Sequence, residues 1–238
     1  MVTGRQCRRS EPSLIQDNFK NTLHTNATPP SWQAVFFDFD GVIADSTEVK
    51  VRAFATLFAP YGPEVQKAVI RYHLDNGGMP RHQKIRHCFE TFAGLTLTDS
   101  ELSRAGQTFS DLVLDAVVAA PFIGGALSTL QRLQQASIPA FVVSGTPEGE
   151  MRLIVERKGL SSSFLEVHGS PRAKPAIVAD ILARHKYRPN QCLFIGDALA
   201  DYRAAQGAGL RFLGIVPADL DSIFPEDVAI SSEVTLPL

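Results

Sequence analysis

The stretch VFFDFDGV, residues 35–42, carries the strongest structural signal in the chain, because a bulky apolar run ends abruptly on two acidic residues. A continuous apolar run is typical of a parallel strand buried on both faces. Two later stretches have the same form: FVV at 141–143 precedes Ser144-Gly145-Thr146, and LFI at 193–195 precedes Gly196-Asp197. Ligands of open α/β sheets bind at the carboxyl ends of such strands. The three polar tips are therefore expected to meet in one crevice.

The rest of the chain divides into a helical part and an alternating part. The helical part has patterns near 47–59, 64–75, 81–93 and 98–118, with no convincing strand between 44 and 120. The alternating part begins at 121, with helices predicted at 124–136, 148–158, 174–186 and 199–207. Between them, strands are predicted at 140–143, 164–167, 192–195 and 211–216, and a late edge strand at 228–230. Such alternation is typical of a parallel, doubly wound sheet.

These patterns predict an α/β protein with a doubly wound, Rossmann-like parallel sheet and an inserted α-helical cap. The core is expected to comprise residues 31–45 and 121–238, and the cap residues 46–120. Residues 1–30 are polar and weakly patterned, so we expect them to form a flexible tail.

The composition argues against several classes of function. Lys and Arg number 23 against 25 Asp and Glu, so the formal charge of −2 gives no basic field, and nucleic acid is not an expected partner. No apolar stretch approaches the roughly 20 residues of a membrane span, so no membrane partner is expected. The three cysteines are widely spaced, which favours a reducing, cytoplasmic location. The sequence leaves the oligomeric state open.

The spacing of Asp38 and Asp40 places both side chains on one side of an extended segment. One carboxylate can attack phosphorus and bind a cation, while the other can act first as an acid and then as a base. Gly41 would let the backbone turn sharply beside the substrate. A simple turn at a strand end explains this motif equally well when it is considered alone.

The second polar tip suits phosphate binding. The Ser144 hydroxyl and the backbone N–H groups of Gly145 and Thr146 could hold phosphate oxygens at a helix N-terminus. Pro147 follows them and is a favoured first residue of a helix. An ordinary Ser/Thr helix cap is the competing explanation.

Two further motifs supply a cation and a second pair of acids. Lys174 could balance the charge of a phosphorylated aspartate, with Arg172 as a rival for the same role. Asp197 and Asp201 lie about one helical turn apart and can face one cation. Hard oxygen ligands with no His or Cys nearby select Mg²⁺ over Zn²⁺. The motifs together therefore predict a site for Mg²⁺ and a phosphate.

This set of motifs resembles that of the haloacid dehalogenase superfamily. The family's four motifs match, in order, residues 38–42, residues 144–146, Lys174 and residues 196–201, and the resemblance covers about 34–216. It is closest to the phosphoglycolate phosphatase and β-phosphoglucomutase-like branch. That branch carries a helical cap between the first two motifs and has a stretch similar to residues 121–125 where the chain returns to the core.

The resemblance implies that Asp38 is the nucleophile and a Mg²⁺ ligand. It implies that Asp40 is the acid and base and binds Mg²⁺ through its carbonyl group. Superfamily members that do not cleave phosphate esters lack an aspartate at the position of Asp40, because only a poor alkoxide leaving group needs this acid. A phosphatase or a phosphomutase is therefore favoured.

The remaining implied roles concern charge and orientation. Ser144 would orient the phosphoryl group and Lys174 would neutralise it. Asp197 would complete the protein ligands of Mg²⁺, and Asp201 would support them. Members of the family vary most at the motif that Lys174 matches.

The favoured function is Mg²⁺-dependent hydrolysis of a small phosphorylated metabolite through phospho-Asp38. A phosphomutase is the alternative, because residues 78–81 of the cap are similar to a sugar-phosphate mutase loop and Arg81 could bind a second phosphate. A non-catalytic module that binds a phosphorylated metabolite is a third hypothesis, which the intact set of acids opposes. The cap is expected to choose the substrate, and its candidate contacts are Lys50, Arg52, His73, Arg81, His82 and Lys84.

Overall fold

The computed structural model describes residues 32–236, so the tail predicted at 1–30 lies outside the described residues. Within them, six parallel strands form one sheet in the order β3-β2-β1-β4-β5-β6. The strands are β1 Ala34–Phe37, β2 Ala140–Pro147, β3 Glu166–Ser170, β4 Cys192–Gly196, β5 Arg211–Ile215 and β6 Ile230–Ser231. The predicted parallel sheet is confirmed.

Eight α-helices accompany the sheet in the described residues. They are α1 Thr47–Phe58, α2 Pro63–Asp75, α3 Arg81–Phe92, α4 Asp99–Ala119, α5 Ala126–Gln135, α6 Glu148–Arg157, α7 Lys174–His185 and α8 Leu199–Ala208. None of these helices combines the length and the apolar character needed to cross a bilayer.

The first strand lies at the centre of the sheet. Phe37 of β1 is in register with Val142 of β2 on one side and with Ile195 of β4 on the other. From β1 the chain moves outward through β2 to β3, then crosses to β4 on the opposite side of β1. This reversal is a topological switch point, where the loops on either side of β1 separate and leave a crevice.

Both faces of β1 are buried, as its continuous apolar sequence predicts. Phe36 belongs to a cluster that includes Ile177 of α7 and Ala205 of α8. Phe37, on the opposite face, belongs to a larger cluster that includes Leu130 of α5 and Ile154 of α6. The helices on the two faces anchor the central strand, and with it the acidic residues that follow it.

The helices α1 to α4, which we call the cap helices, lie in the chain between β1 and α5 with no strand among them. Their shared interior contains two aromatic pairs, Phe54 with Phe109 and Phe58 with Phe89, each with ring centroids 4.6 Å apart. The longest of them, α4, starts with a capping box between Thr98 and Glu101. The limits of the cap at residues 46 and 120 stay a prediction.

Several strand boundaries differ from those predicted, and two of them bear on the site. The third strand begins at Glu166 rather than at 164, because its pairing with β2 starts where Glu166 lies opposite Phe141. Phe164 precedes this pairing and packs its ring edge-on against Phe37. The second strand runs on to Pro147, so α6 begins at Glu148 and Pro147 precedes the helix. Residues 144–146 therefore belong to the end of a strand that leads directly into the N-terminus of α6. Pro147 precedes this helix rather than opening it, and the phosphate contacts expected of residues 144–146 stay a prediction.

Candidate active site

A cleft at the carboxyl edge of the sheet brings the predicted site residues together. Those that line it are Asp38, Asp40, Arg81, Ser144, Gly145, Thr146 and Asp197. Lys174, Asp201 and Gly41 contact this set from behind the cleft wall. The rival cation Arg172 is instead paired with Asp180 on the protein surface, 3.2 Å away.

Asp38 follows β1 directly and is almost fully buried. Its Oδ1 accepts a hydrogen bond of 2.7 Å from the backbone N–H of Phe39. Its Oδ2 lies 2.8 Å from Nζ of Lys174. These two contacts hold the carboxylate in place at the carboxyl end of the central strand, where it lines the cleft.

Lys174 is a buried cation held between two acids. Besides Asp38, its Nζ donates to Oδ1 of Asp201 at 2.5 Å. Burial acts to lower the pKa of Lys174, but the charges of Asp201 and Asp38 outweigh it, so the pKa lies above its ordinary value. Lys174 is therefore a permanent positive charge beside Asp38.

Three acids form a compact group around this lysine. Asp38, Asp197 and Asp201 each offer a carboxylate oxygen, and these oxygens lie within 4.8 Å of one another. Burial, followed by the charges of Asp38 and Asp201, raises the pKa of Asp197 well above its ordinary value. Burial likewise raises the pKa of Asp201 to about 7. One lysine does not neutralise three ionised carboxylates, so a divalent cation could replace the protons that these raised pKa values favour.

Gly41 makes room for this arrangement. A Cβ atom at this position would lie 2.1 Å from Oδ2 of Asp197, and the backbone has a φ of +75°. Both facts require glycine, because other residues lack the space and rarely adopt this conformation. The predicted sharp turn next to the site is present.

Asp40 is not part of this acidic group, and its carboxylate contacts other residues. Its carboxylate accepts a hydrogen bond of 2.6 Å from the hydroxyl of Ser46 and forms an ion pair with Lys50 of α1. Burial acts to raise the pKa of Asp40, but Lys50 and Ser46 outweigh it, and the pKa lies below its ordinary value. The role of the Asp40 carbonyl as a metal ligand stays a prediction.

The second polar tip, at the end of β2, is held by hydrogen bonds of its own hydroxyl groups. The Ser144 hydroxyl accepts a 3.1 Å hydrogen bond from the backbone N–H of Thr146. The Thr146 hydroxyl in turn accepts from Nζ of Lys50 at 2.8 Å. Ser144 and Thr146 are buried and line the same cleft as Asp38, and their contact with a phosphoryl group stays a prediction.

The turn between α2 and α3 closes over the site. Gly78 has a φ of +73°, and a Cβ there would lie 2.9 Å from the Cβ of Ala200 and 3.4 Å from Nζ of Lys174. The absence of a side chain at Gly78 is what lets the cap turn approach Lys174 so closely.

The guanidinium of Arg81 forms an ion pair with a carboxylate of the core in this structure. Its guanidinium is paired with both carboxylate oxygens of Glu150 on α6, at 2.6 and 2.7 Å, and also donates to Ser110 on α4. Burial acts to raise the pKa of Glu150, but Arg81 outweighs it, so the pKa is lowered. The predicted contact between Arg81 and substrate stays untested, and here the guanidinium joins the cap helices to the core.

Glu150→Ala is expected to lower the free energy of unfolding by about 3 kcal/mol, because it leaves the Arg81 guanidinium, 6 % exposed, without its anionic partner. Urea denaturation monitored by circular dichroism measures this change. Glu156→Ala on the exposed face of the same helix is the control, with an expected change within about 0.5 kcal/mol. Equal values for the two variants would contradict a stabilising role for the ion pair.

Sequence reasoning missed three features of the site. It treated Lys50 only as a candidate substrate contact, whereas the structure pairs it with Asp40. It did not single out Glu150, and it gave no special place to Lys84, which is buried in the cleft wall beside His73. The position of Glu150 in the first turn of α6 was the one available signal, because acids favour helix N-termini.

Comparison with known proteins agrees with this geometry. A family model described as haloacid dehalogenase-like hydrolase matches residues 32–209. The phosphoglycolate phosphatase of Synechococcus elongatus is 28% identical over 185 residues, 75% of this chain and 81% of that protein. The 2-hydroxy-3-keto-5-methylthiopentenyl-1-phosphate phosphatase of Microcystis aeruginosa is 25% identical, covering 75% and 82%.

A solved structure supports the fold. The β-phosphoglucomutase of Clostridium difficile superposes with a TM-score of 0.70, covering 85% of this chain and 91% of that one, at 17% sequence identity. This likeness concerns the fold, namely a parallel sheet with helices inserted after the first strand.

Proposed function

This chain belongs to the haloacid dehalogenase-like hydrolase family, in which it is a phosphoric monoester hydrolase, and we propose that it cleaves a small phosphate monoester through phospho-Asp38 with the help of Mg²⁺. One observation carries the proposal. The buried Asp38 carboxylate is held by Lys174 at 2.8 Å and opens into a cleft that also contains Ser144 and Asp40. Side chains that could serve as nucleophile, charge-balancing cation and acid therefore lie close together, which supports the proposal.

Mg²⁺ fits the donors that the chain offers. Asp38, Asp197 and the carbonyl of Asp40 would hold it, with Asp201 close to them. Their oxygens are hard ligands, and the excess negative charge of the acidic group favours a divalent ion. When bound, Mg²⁺ would supply electrostatic stabilisation of the negative charge on the transferring phosphoryl group.

In the first step, the Asp38 carboxylate would attack phosphorus while the bond to the ester oxygen breaks. Asp40 would donate a proton to the departing oxygen. Lys50 holds Asp40 as a carboxylate in the free protein, but an anionic phosphoryl group near Asp40 would raise its pKa and favour the protonated form. Lys174 and the Ser144 hydroxyl would stabilise the phosphoryl oxygens.

In the second step, water would attack phospho-Asp38. Asp40, now a carboxylate, would take the proton from this water, and inorganic phosphate would leave Asp38. The Gly78 turn lies directly against the catalytic lysine, so the cap helices would limit the entry of bulk water to this step.

A phosphomutase would use the same intermediate but return the phosphoryl group to a second position of the substrate. That alternative depends on Arg81 binding a second phosphate. Because Arg81 is held by Glu150 and Ser110, hydrolysis is the function that the geometry favours. The cytoplasmic location stays a prediction from the cysteines, of which Cys88 and Cys192 are buried free thiols.

The purified protein is expected to release inorganic phosphate from at least one member of a panel of phosphorylated metabolites when Mg²⁺ is present. Excess EDTA should abolish the release, and added Mg²⁺ should restore it. The panel should include 2-phosphoglycolate and a hexose 1-phosphate, since conversion of the latter to the 6-phosphate without phosphate release would support the mutase instead. Failure to turn over any ester would contradict the proposed function.

A further inference from the structure

Lys84 is a buried cation in the wall of the cleft and lies on the third cap helix, α3. Only 4 % of its surface is exposed. Its Nζ lies 3.0 Å from Nδ1 of His73 and 3.4 Å from the backbone carbonyl of the same residue. Both Lys84 and Asp38 line the same cleft, so a substrate bound at Asp38 lies within the space that Lys84 faces.

Lys84 differs from the other cations around the cleft because it has no acidic partner. Lys50 is paired with Asp40, Arg81 with Glu150, and Lys174 with Asp38 and Asp201. Across residues 32–236, no carboxylate lies within ion-pair distance of Lys84 Nζ. A buried charge without a counterion is costly, so its position indicates that a ligand supplies the missing negative charge.

His73 does not supply this charge. Burial, and then the neighbouring charge of Lys84, lowers the pKa of His73 to about 3. The imidazole is therefore neutral at physiological pH, and its Nδ1 accepts a hydrogen bond from the lysine. The ring also packs against Phe54, with centroids 4.5 Å apart, which holds it in place. His73 thus orients Lys84 but leaves its charge uncompensated.

We propose that Lys84 binds a second anionic group of the substrate, so that the enzyme selects phosphate monoesters that also carry a carboxylate or a second phosphate. This inference rests on the proposed hydrolysis at Asp38. His73 acts as the positioning residue, since it contacts Lys84 rather than the substrate. The third cap helix would thereby contact the part of the substrate that does not react.

The electrostatic surroundings of Lys84 give this contact a pH dependence. Burial, and then the charge of Lys50, lowers the pKa of Lys84 to about 7. The charged and titratable groups that act on it are Lys50 on α1, His73 on α2, Cys88 on α3, Lys174 on α7 and Asp197 after β4. Below about pH 7 the free enzyme carries the ammonium that binds an anion. Above it, the charge and the selectivity are lost together.

Matched pairs of esters test the proposal, with phosphate release measured in the presence of Mg²⁺. One pair is 2-phosphoglycolate and 2-hydroxyethyl phosphate, which differ by a carboxylate. The other is fructose 1,6-bisphosphate and fructose 1-phosphate, which differ by a second phosphate. In the wild type, kcat/KM should favour the more anionic member of at least one pair by about 10- to 100-fold. The pair that shows the preference identifies the anionic group.

Lys84→Met should remove this preference by lowering kcat/KM for the anionic ester alone, while Lys84→Arg should retain it. The wild-type preference should decline as pH rises from 6 to 9, whereas the arginine variant should hold it, because guanidinium stays charged. A purely structural lysine would not change a ratio of substrates in this way. Lys67→Met, at an exposed position of α2, is the control and should match the wild type.

The outcomes separate the two proposals. If the wild type cleaves both members of each pair equally well, or if Lys84→Met lowers both rates equally, the assignment of Lys84 is wrong and hydrolysis at Asp38 stands. If the wild type cleaves none of these esters or of the wider panel, the proposed function is wrong and the role of Lys84 falls with it.

Discussion

An Asp38→Asn variant is expected to release phosphate about 10⁴-fold more slowly than the wild type, because an amide cannot form the phospho-enzyme. The substitution preserves the shape of the side chain and leaves Lys174 paired with Asp201 at 2.5 Å. The variant should therefore fold, and the loss should appear in kcat rather than in the amount of folded protein.

Two measurements check this expectation. The first is the steady-state rate of phosphate release. The second is covalent labelling, in which the wild type, quenched with acid during turnover of a ³²P-labelled ester, should carry label on the residue 38 peptide, while the variant should carry none. Asp45→Asn, an exposed position seven residues further along the chain, is the matched control and should keep full activity. Substantial turnover by Asp38→Asn would refute the assigned nucleophile.

Lys174→Met is expected to lower kcat by about 10²- to 10³-fold, because the transferring phosphoryl group loses its nearest positive charge. The same change should lower the free energy of unfolding by about 3 kcal/mol when EDTA is present. The physical reason is that Asp38 and Asp201 then remain buried together with no cation between them.

Enzyme assays and urea denaturation, both at pH 7, measure these two effects. Lys67→Met removes a largely exposed lysine whose ion-pair partner among the described residues is Glu64, so it should change neither quantity appreciably. A Lys174→Met protein with normal activity would mean that another cation neutralises the phosphoryl group. A Lys174→Met protein with the wild-type free energy of unfolding would mean that the buried acids take up protons without destabilising the fold.

Much of this architecture could be predicted because the signals are local. The run that ends at Phe37 predicts a buried strand, and the structure buries it on both faces at the centre of the sheet. The Thr98 and Glu101 pair predicts a helix start and forms a capping box there. Backbone hydrogen bonding and hydrophobic periodicity act over a few residues, so a single chain displays them directly.

The boundaries were harder to predict because distant packing decides them. The third strand starts at Glu166 because its pairing with β2 starts opposite Phe141, a residue of a strand on the other side of α6 in the chain. The second strand continues through Thr146 to Pro147 because it pairs with Ser170 of β3, past a break in the register. Neither partner is adjacent in the sequence, so periodicity alone places these ends incorrectly.

The sequence by itself determined the parallel sheet, the order of the motifs and the acids that follow its strands, because each depends on residues close together in the chain. Only the tertiary structure decided how the charges pair. It pairs Asp40 with Lys50 and Arg81 with Glu150, and it places Lys84 in the cleft wall beside a neutral His73. The cap helices meet the core through contacts between residues far apart in sequence, and a charge is compensated by whatever lies within a few ångströms of it in space.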